Sequence, residues 1–227
     1  VPVKKKLVLG FSPFAADLGG MSQIARHFDR VQDVREKGFD NIDCLVLWGG
    51  TDINASFYGQ KPHPRNQSRH DKTLDARDTF EKKAVLLCKA KDIPILGICR
   101  GAQLLCAMAG GKLIQDVHGH HSFHHLTTFD GKEILSNSCH HQMMYPFDVQ
   151  HEMLAWTAQP RSRGHYQGEH FNDDVDMEGK VEPEIVFFPE LRGLAVQGHP
   201  EWTSAPDAFI NLVNNLIADY LLVKEHA

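Results

Sequence analysis

The stretch Pro94-Ile95-Leu96-Gly97-Ile98-Cys99-Arg100-Gly101-Ala102-Gln103-Leu104-Leu105 decides the reading of this chain. Its first half is short, apolar and β-branched, the pattern of a buried strand, and its second half is rich in helix formers and runs to Gly110-Gly111, a helix stop. Cys99 therefore falls where a strand turns sharply into a helix, flanked by Gly97 and Gly101. Glycines at such positions allow a tight turn and close approach of a substrate. A helix N-terminus lends partial positive charge to a thiolate and to a developing oxyanion, which a thiol of ordinary pKa about 8.5 needs for reactivity near neutrality.

Around this elbow, strands and helices alternate. Strands are predicted at Lys6 to Phe11, Ile42 to Trp48 and Ile93 to Ile98, a helix between Met21 and Lys37, and a long amphipathic helix from Asp71 to Lys91. Leu74, Phe80, Ala84, Val85, Leu87 and Cys88 mark the apolar face of that long helix. The pattern implies an α/β fold with a mainly parallel sheet covered on both faces, whose ligands bind beyond the carboxyl ends of the strands. Gly49-Gly50 and Cys99 both sit at such ends. Residues Gly59 to Ser68 read as a surface loop. The second half reads as short strands at Lys112 to Asp116, Leu126 to Phe129, Lys132 to Leu135 and His151 to Ala158, with Asp130-Gly131 as a hairpin turn. Gln159 to Lys180 is a polar excursion. Strands at Val181 to Phe188 and Gly193 to Gln197 and a closing helix from Asp207 to Val223 complete a single domain over residues 1–227.

Composition excludes several classes. A net charge of -5 offers no electrostatic case for nucleic acid or an anionic membrane, and no apolar run approaches the roughly 20 residues of a membrane span. Cys44, Cys88, Cys99, Cys106 and Cys139 are scattered without Cys-x-x-Cys spacing, which points to a reducing compartment and a cytoplasmic protein. Cys44, Cys88 and Cys106 read as buried core thiols. The run His118, His120, His121, His124 and His125 lacks the ordered spacing of a metal site, so neither a metal nor another cofactor is expected; a loop bordering the substrate pocket is the better reading.

The partner for Cys99 is Gln197-Gly198-His199-Pro200-Glu201, at the end of an apolar strand. Residues two apart on an extended segment share a side, so His199 and Glu201 face one pocket. His199 would take the thiol proton and return one to a leaving amine, while Glu201 fixes its tautomer.

Together, Gly97-Ile98-Cys99-Arg100-Gly101-x-Gln103 and His199-Pro200-Glu201 resemble the class I glutamine amidotransferase-like superfamily, and more narrowly its peptidase C26 branch, the γ-glutamyl-amide hydrolases. Four further stretches resemble that branch: Gly49-Gly50-Thr51-Asp52-Ile53 with Tyr58, Asp75-x-Arg77-Asp78-x-x-Glu81, Gly110-Gly111-x-Leu113-x-Gln115-Asp116, and Asn137-Ser138-x-His140-His141-Gln142. The resemblance implies a flavodoxin-like sheet with small antiparallel additions in the second half, and a Cys99–His199–Glu201 triad. It places the oxyanion hole at the backbone N–H groups of Gly50 and Arg100. Gln103, Asn137, Ser138 and His140 would contact the glutamyl group, with capping of a following helix as the other reading of His140. Asp75, Arg77, Asp78 and Glu81 read as an ion-pair brace beneath the active-site edge, because their helical spacing suits local pairing. Two departures put the leaving group in doubt: Val181-Glu182-Pro183-Glu184 stands where the branch has an Asp-Gly turn, and residues 159–180 have no counterpart.

The expected activity is hydrolysis of a γ-glutamyl amide through a γ-glutamyl thioester. Its partners would be a small γ-glutamyl molecule and, in assembly, a second copy of the chain as a homodimer. Two alternatives stay open at this point: a glutaminase subunit feeding ammonia to a separate synthetase, and an inactive binding protein on the same fold.

Overall fold

The computed structural model describes residues 6–12, 21–70 and 72–223, and the side chains of all of these except 69–75. Pro13, Lys4, Lys5 and the side chains of Leu74 and Asp75 lie outside what is described.

In chain order the first half runs β1 (Val8–Phe11), α1 (Met21–Ile24), β2 (Arg30–Asp33), α2 (Val34–Lys37), β3 (Cys44–Leu47), α3 (Lys72–Ala90), β4 (Ile95–Ile98) and α4 (Arg100–Met108). Then follow β5 (Lys112–Ile114), β6 (Asp116–Val117), β7 (His124–Thr128), β8 (Glu133–Ser136), β9 (Met143–Tyr145), β10 (Glu152–Thr157), β11 (His165–Tyr166), β12 (Pro183–Phe188), β13 (Gly193–Val196) and α5 (Asp207–Leu216). A π-helical turn, Ile217–Leu222, continues α5.

Among the described residues, nine strands form one mixed sheet in the order β2-β1-β3-β4-β13-β12-β10-β7-β8. The five from β2 to β13 are parallel, and from β13 outward each pairing is antiparallel. Parallel strands covered on both faces must be apolar throughout, and β3 shows how. Leu45 and Leu47 pack with Ala84, Val85 and Cys88 of α3 and Leu104 and Leu105 of α4. Cys44 and Val46 point the other way, to Phe209, Val213 and Leu216 of α5. The antiparallel extension is four strands, larger than the sequence suggests, and Gly131 turns its β7–β8 hairpin with φ +80°.

Three local expectations need correction. The single helix predicted between Met21 and Lys37 is two short helices around the edge strand β2, whose first two residues are exposed and whose side chains therefore carry no apolar stripe. The loop from Gly59 to Ser68 is not wholly superficial: His63, Asn66 and Ser68 are buried, and Asn66 donates to Tyr58 and to Gln115. Leu87 lies outside the packed face of α3, half turned to solvent. Cys44, Cys88 and Cys106 are buried, as expected, and burial pushes the thiols of Cys88 and Cys106 up to about 12. Among the described residues no helix is long and apolar enough to cross a membrane.

Candidate active site

The parallel strands β3, β4 and β13 are neighbours, and their carboxyl ends deliver Gly49-Gly50, Cys99 and Gln197 to His199 side by side. Two glycines make the elbow at Cys99 sterically possible. A Cβ at position 97 would stand 2.5 Å from the carbonyl oxygen of Gly101, and one at position 101 would strike the carbonyl of Leu47. Cys99 itself takes φ +51° and ψ -105°, a conformation rarely used by a residue with a side chain. Its carbonyl accepts from the N–H of Gln103, while the first N–H groups of α4 have no helical acceptor, as at any helix start.

His199 and Glu201 meet through the turn beyond β13, since the strand stops at Val196, rather than by alternation along an extended segment. Nδ1 of His199 lies 2.8 Å from Oε1 of Glu201, and its ring stacks on Trp202 with centroids 4.0 Å apart. The other side of the ring reaches the Cys99 thiol. Burial alone would lower the pKa of His199, but hydrogen bonds and charge from Cys99 and Glu201 outweigh it and raise it to about 10. The imidazole is therefore a cation at neutral pH, the counter-ion that a thiolate requires. Gly49 keeps the space open: a Cβ there would stand 2.9 Å from Cε1 of His199 and 3.5 Å from Cβ of Cys99.

Beneath this edge lies a buried ion-pair quartet. Arg100 pairs with Asp78 and Glu81, and Nε of Arg77 donates to Glu81 at 3.0 Å. Nη2 of Arg77 donates onward to the carbonyls of Trp48 and Gly49 at 2.9 and 3.1 Å, and its guanidinium lies against Gly50. Arg77, Asp78 and Glu81 thus form the anticipated brace, and Arg100 turns its side chain into it, leaving only its backbone toward Cys99.

Each residue expected around the glutamyl group has at least one polar atom bonded within the protein. The Asn137 amide donates to the carbonyl of His199 at 2.8 Å and accepts from its N–H at 3.2 Å, so it holds the backbone of the imidazole. Ser138 donates to the carbonyl of His120 at 2.6 Å. Gln103 is one helical turn beyond Cys99, and its amide donates to the carbonyl of Gln142 at 2.9 Å. His140 caps no helix, because β9 follows it; its Nδ1 lies 2.9 Å from that same Gln142 carbonyl. Asp52 ties the Gly-Gly loop to this segment through Nε2 of His141 at 2.9 Å. Trp202 and the carbonyl contacts of Arg77 escaped sequence reasoning; the only signal for Trp202 is its place directly after Glu201.

The polar excursion packs on β6 and on the loop that holds His63. Within it β11 pairs with β6, and His63 lies under Tyr166 and Phe171 with ring centroids at 6.4 and 5.8 Å. Glu182 anchors its start by accepting from the N–H groups of Arg161 and Ser162.

A thiol, an imidazole and a carboxylate at adjoining strand ends of a mixed α/β sheet define the glutamine amidotransferase-like class. Within it, residues 4–144, more than half of the chain, match the peptidase C26 family, and the chain belongs to that family. It is similar to the glutamine amidotransferase-like protein YvdE homolog of Lactococcus lactis subsp. cremoris, 41% identical over 76 residues, 34% of this chain and 38% of that one. It is also similar to the gamma-glutamyl-CDP-amidate hydrolase of Campylobacter jejuni subsp. jejuni serotype O:2, 32% identical over 99 residues, 44% of this chain and 42% of that one. The matched regions thus span less than half the length of these two curated relatives. A glutamine amidotransferase structure from Thermotoga maritima shares the fold with a TM-score of 0.57 at 14% identity, over 94% of this chain and 84% of that one.

Proposed function

We propose that this chain is a thiol hydrolase that cleaves a γ-glutamyl amide bond of a small molecule. The observation that carries the reading is the contact row from Cys99 through His199 to Glu201 at strand ends next to Gly49-Gly50. The Cys99 sulfur attacks the γ-carbonyl as a thiolate, with the His199 imidazolium as its counter-ion. The developing oxyanion would take the N–H groups of Gly50 and Arg100, and loss of one such donor typically costs about 10²–10³ in rate. His199 then gives its proton to the departing nitrogen. The γ-glutamyl thioester is left on Cys99, and water, deprotonated by the now neutral His199, releases glutamate and the thiol. Glu201 keeps Nδ1 protonated and Nε2 facing the sulfur throughout.

Family membership and the resemblance of Asn137 to Gln142 support a glutamyl acyl group. The relative named for a γ-glutamyl nucleotide amidate supports a leaving group larger than ammonia, with residues 118–125 and 159–180 as its boundary. The test is release of glutamate from glutamine and from a panel of γ-glutamyl amines, peptides and nucleotide amidates. The reading expects turnover on at least one of the larger substrates by the chain alone. Hydrolysis of glutamine only, and only when a synthetase is added, would replace it with the ammonia-delivering subunit; no turnover and no thiol labelling would replace it with a binding protein.

A further inference from the structure

Outside the row of Cys99, His199 and Glu201, three imidazoles and two carboxylates are buried together. They come from the 118–125 loop, the 137–142 segment and the start of β12. His120, His124, His140, Glu182 and Glu184 are each at most 3% exposed.

Two of the rings have one nitrogen already committed to a backbone carbonyl. Nδ1 of His140 faces the carbonyl of Gln142 at 2.9 Å, and Nδ1 of His124 faces the carbonyl of Ser122 at 3.1 Å. A carbonyl only accepts, so both of these nitrogens carry a proton. Nε2 of His120 lies 3.3 Å from Glu182, whose carboxylate also takes Nε2 of His165 at 3.0 Å. The three remaining nitrogens all turn to one atom, Oε1 of Glu184: Nδ1 of His120 at 3.1 Å, Nε2 of His124 at 3.0 Å and Nε2 of His140 at 3.7 Å.

His140 is the informative member. Its Nδ1 proton goes to the Gln142 carbonyl, which leaves Nε2 to present a lone pair when the ring is neutral. That lone pair, and Oε2 of Glu184, have no hydrogen-bond partner. A buried lone pair set against a carboxylate repels it unless a cation lies between them. A ring whose second nitrogen is fixed by a carbonyl or carboxylate is also the usual form of a histidine ligand. Bonds of about 2.0–2.2 Å in a tetrahedron separate ligand atoms by about 3.3–3.6 Å, which these side chains reach by closing on the ion. Ligand atoms of His120, His140 and Glu184 lie within 4.8 Å of one another.

We propose that His120, His140 and Glu184 bind one divalent transition-metal ion, zinc being the ion that this set of two imidazoles and a carboxylate suits. Glu182 is the positioning residue that orients His120 from behind. The irregular spacing of the histidine run conceals the site in the sequence, because its ligands come from three separate segments. Bound there, the ion would pin the 118–125 loop to the segment whose Asn137 holds the backbone of His199.

The test is read by metal binding, so it stands apart from the hydrolase reading. Full-length chain stripped with a chelator is titrated with zinc ions in competition with a chromophoric chelator. About one zinc per chain is expected, with a raised thermal midpoint, and cobalt in its place gives the intense visible bands of tetrahedral coordination. Glu182→Gln is expected to weaken zinc about 10–100-fold, and Glu184→Gln to remove stoichiometric binding. If Glu184→Gln does not fold, the stripped wild type decides: zinc, but not magnesium, raises its thermal midpoint. Folded wild type that takes up no zinc, or undiminished binding by a folded Glu184→Gln, overturns the proposal and leaves a protonated hydrogen-bond network.

Discussion

Replacing Glu81 with glutamine removes one charge from the buried quartet while keeping its shape. Glu81 is fully buried and serves both Arg77 and Arg100, so the variant leaves two guanidinium groups facing Asp78 alone. Removing one partner of such a pair costs about 3–5 kcal/mol, a large share of the about 5–15 kcal/mol that holds a domain together. In a chain of this length each kcal/mol shifts the midpoint by about 2–4 °C, so a fall of about 6–20 °C is expected. Activity should fall as well. Arg77 anchors the carbonyls of Trp48 and Gly49, and a loosened Arg77 lets the Gly50 N–H drift from the oxyanion position. The ceiling on that loss is the value of one donor, about 10²–10³ in kcat. Urea unfolding followed by circular dichroism measures the first effect, and steady-state kinetics well below the midpoint measures the second. Leu216→Ala is the control: it opens a cavity in the α5 core for about 2–5 kcal/mol and removes no charge from the quartet. A stability loss below about 1 kcal/mol, or a kcat no lower than that of the control, would refute the brace.

Three further outcomes follow from the same geometry. Gly49→Ala should fold yet lose about 10- to 100-fold in kcat/KM, because its methyl must push the His199 ring aside and an ångström of misplacement costs about 10²; wild-type kinetics would contradict the contact. Asn137→Ala should lower kcat by about tenfold with KM little changed, since its amide holds the His199 backbone; a raised KM with unchanged kcat would assign Asn137 to substrate instead. His199 titrates near 10 in the folded chain against about 6.5 when unfolded. The folded state thus binds this proton more tightly. The stabilisation is fully present below about 6.5 and disappears as pH rises toward 10, and the alkaline limb of kcat/KM should follow the same loss. The urea-midpoint difference between wild type and His199→Gln should shrink across that window, and a constant difference would count against the cationic imidazole.

The parts of the fold that depend on a one-dimensional pattern were legible. The runs at β3 and β4 are apolar on both faces and so announce a covered parallel sheet, and Gly97 and Gly101 mark a turn that no side chain at those positions would permit. The edge strand β2 was not legible, because Arg30 and Val31 face solvent and leave no period to detect. The pairing of Arg77 with Glu81 is visible as a helical repeat, whereas its reach to Trp48 and Gly49 crosses from α3 to the end of β3. Asn137 stood out as a polar residue in a pocket motif, yet which atoms its amide would meet depends on the return of β13 beside it. The Glu184 cluster was hidden for the same reason: residues from three segments converge, and only two of its histidines belong to the conspicuous run.

The central claim is that Cys99 carries the acyl group. Rapid acid quench during turnover of a γ-glutamyl amide, followed by peptide mass mapping, measures this directly. The account predicts a γ-glutamyl adduct on the peptide containing Cys99, absent from Cys99→Ala and from the peptides of the other four cysteines. Glutamate release by Cys99→Ala at the wild-type rate, with no adduct at Cys99 in the wild type, would contradict it.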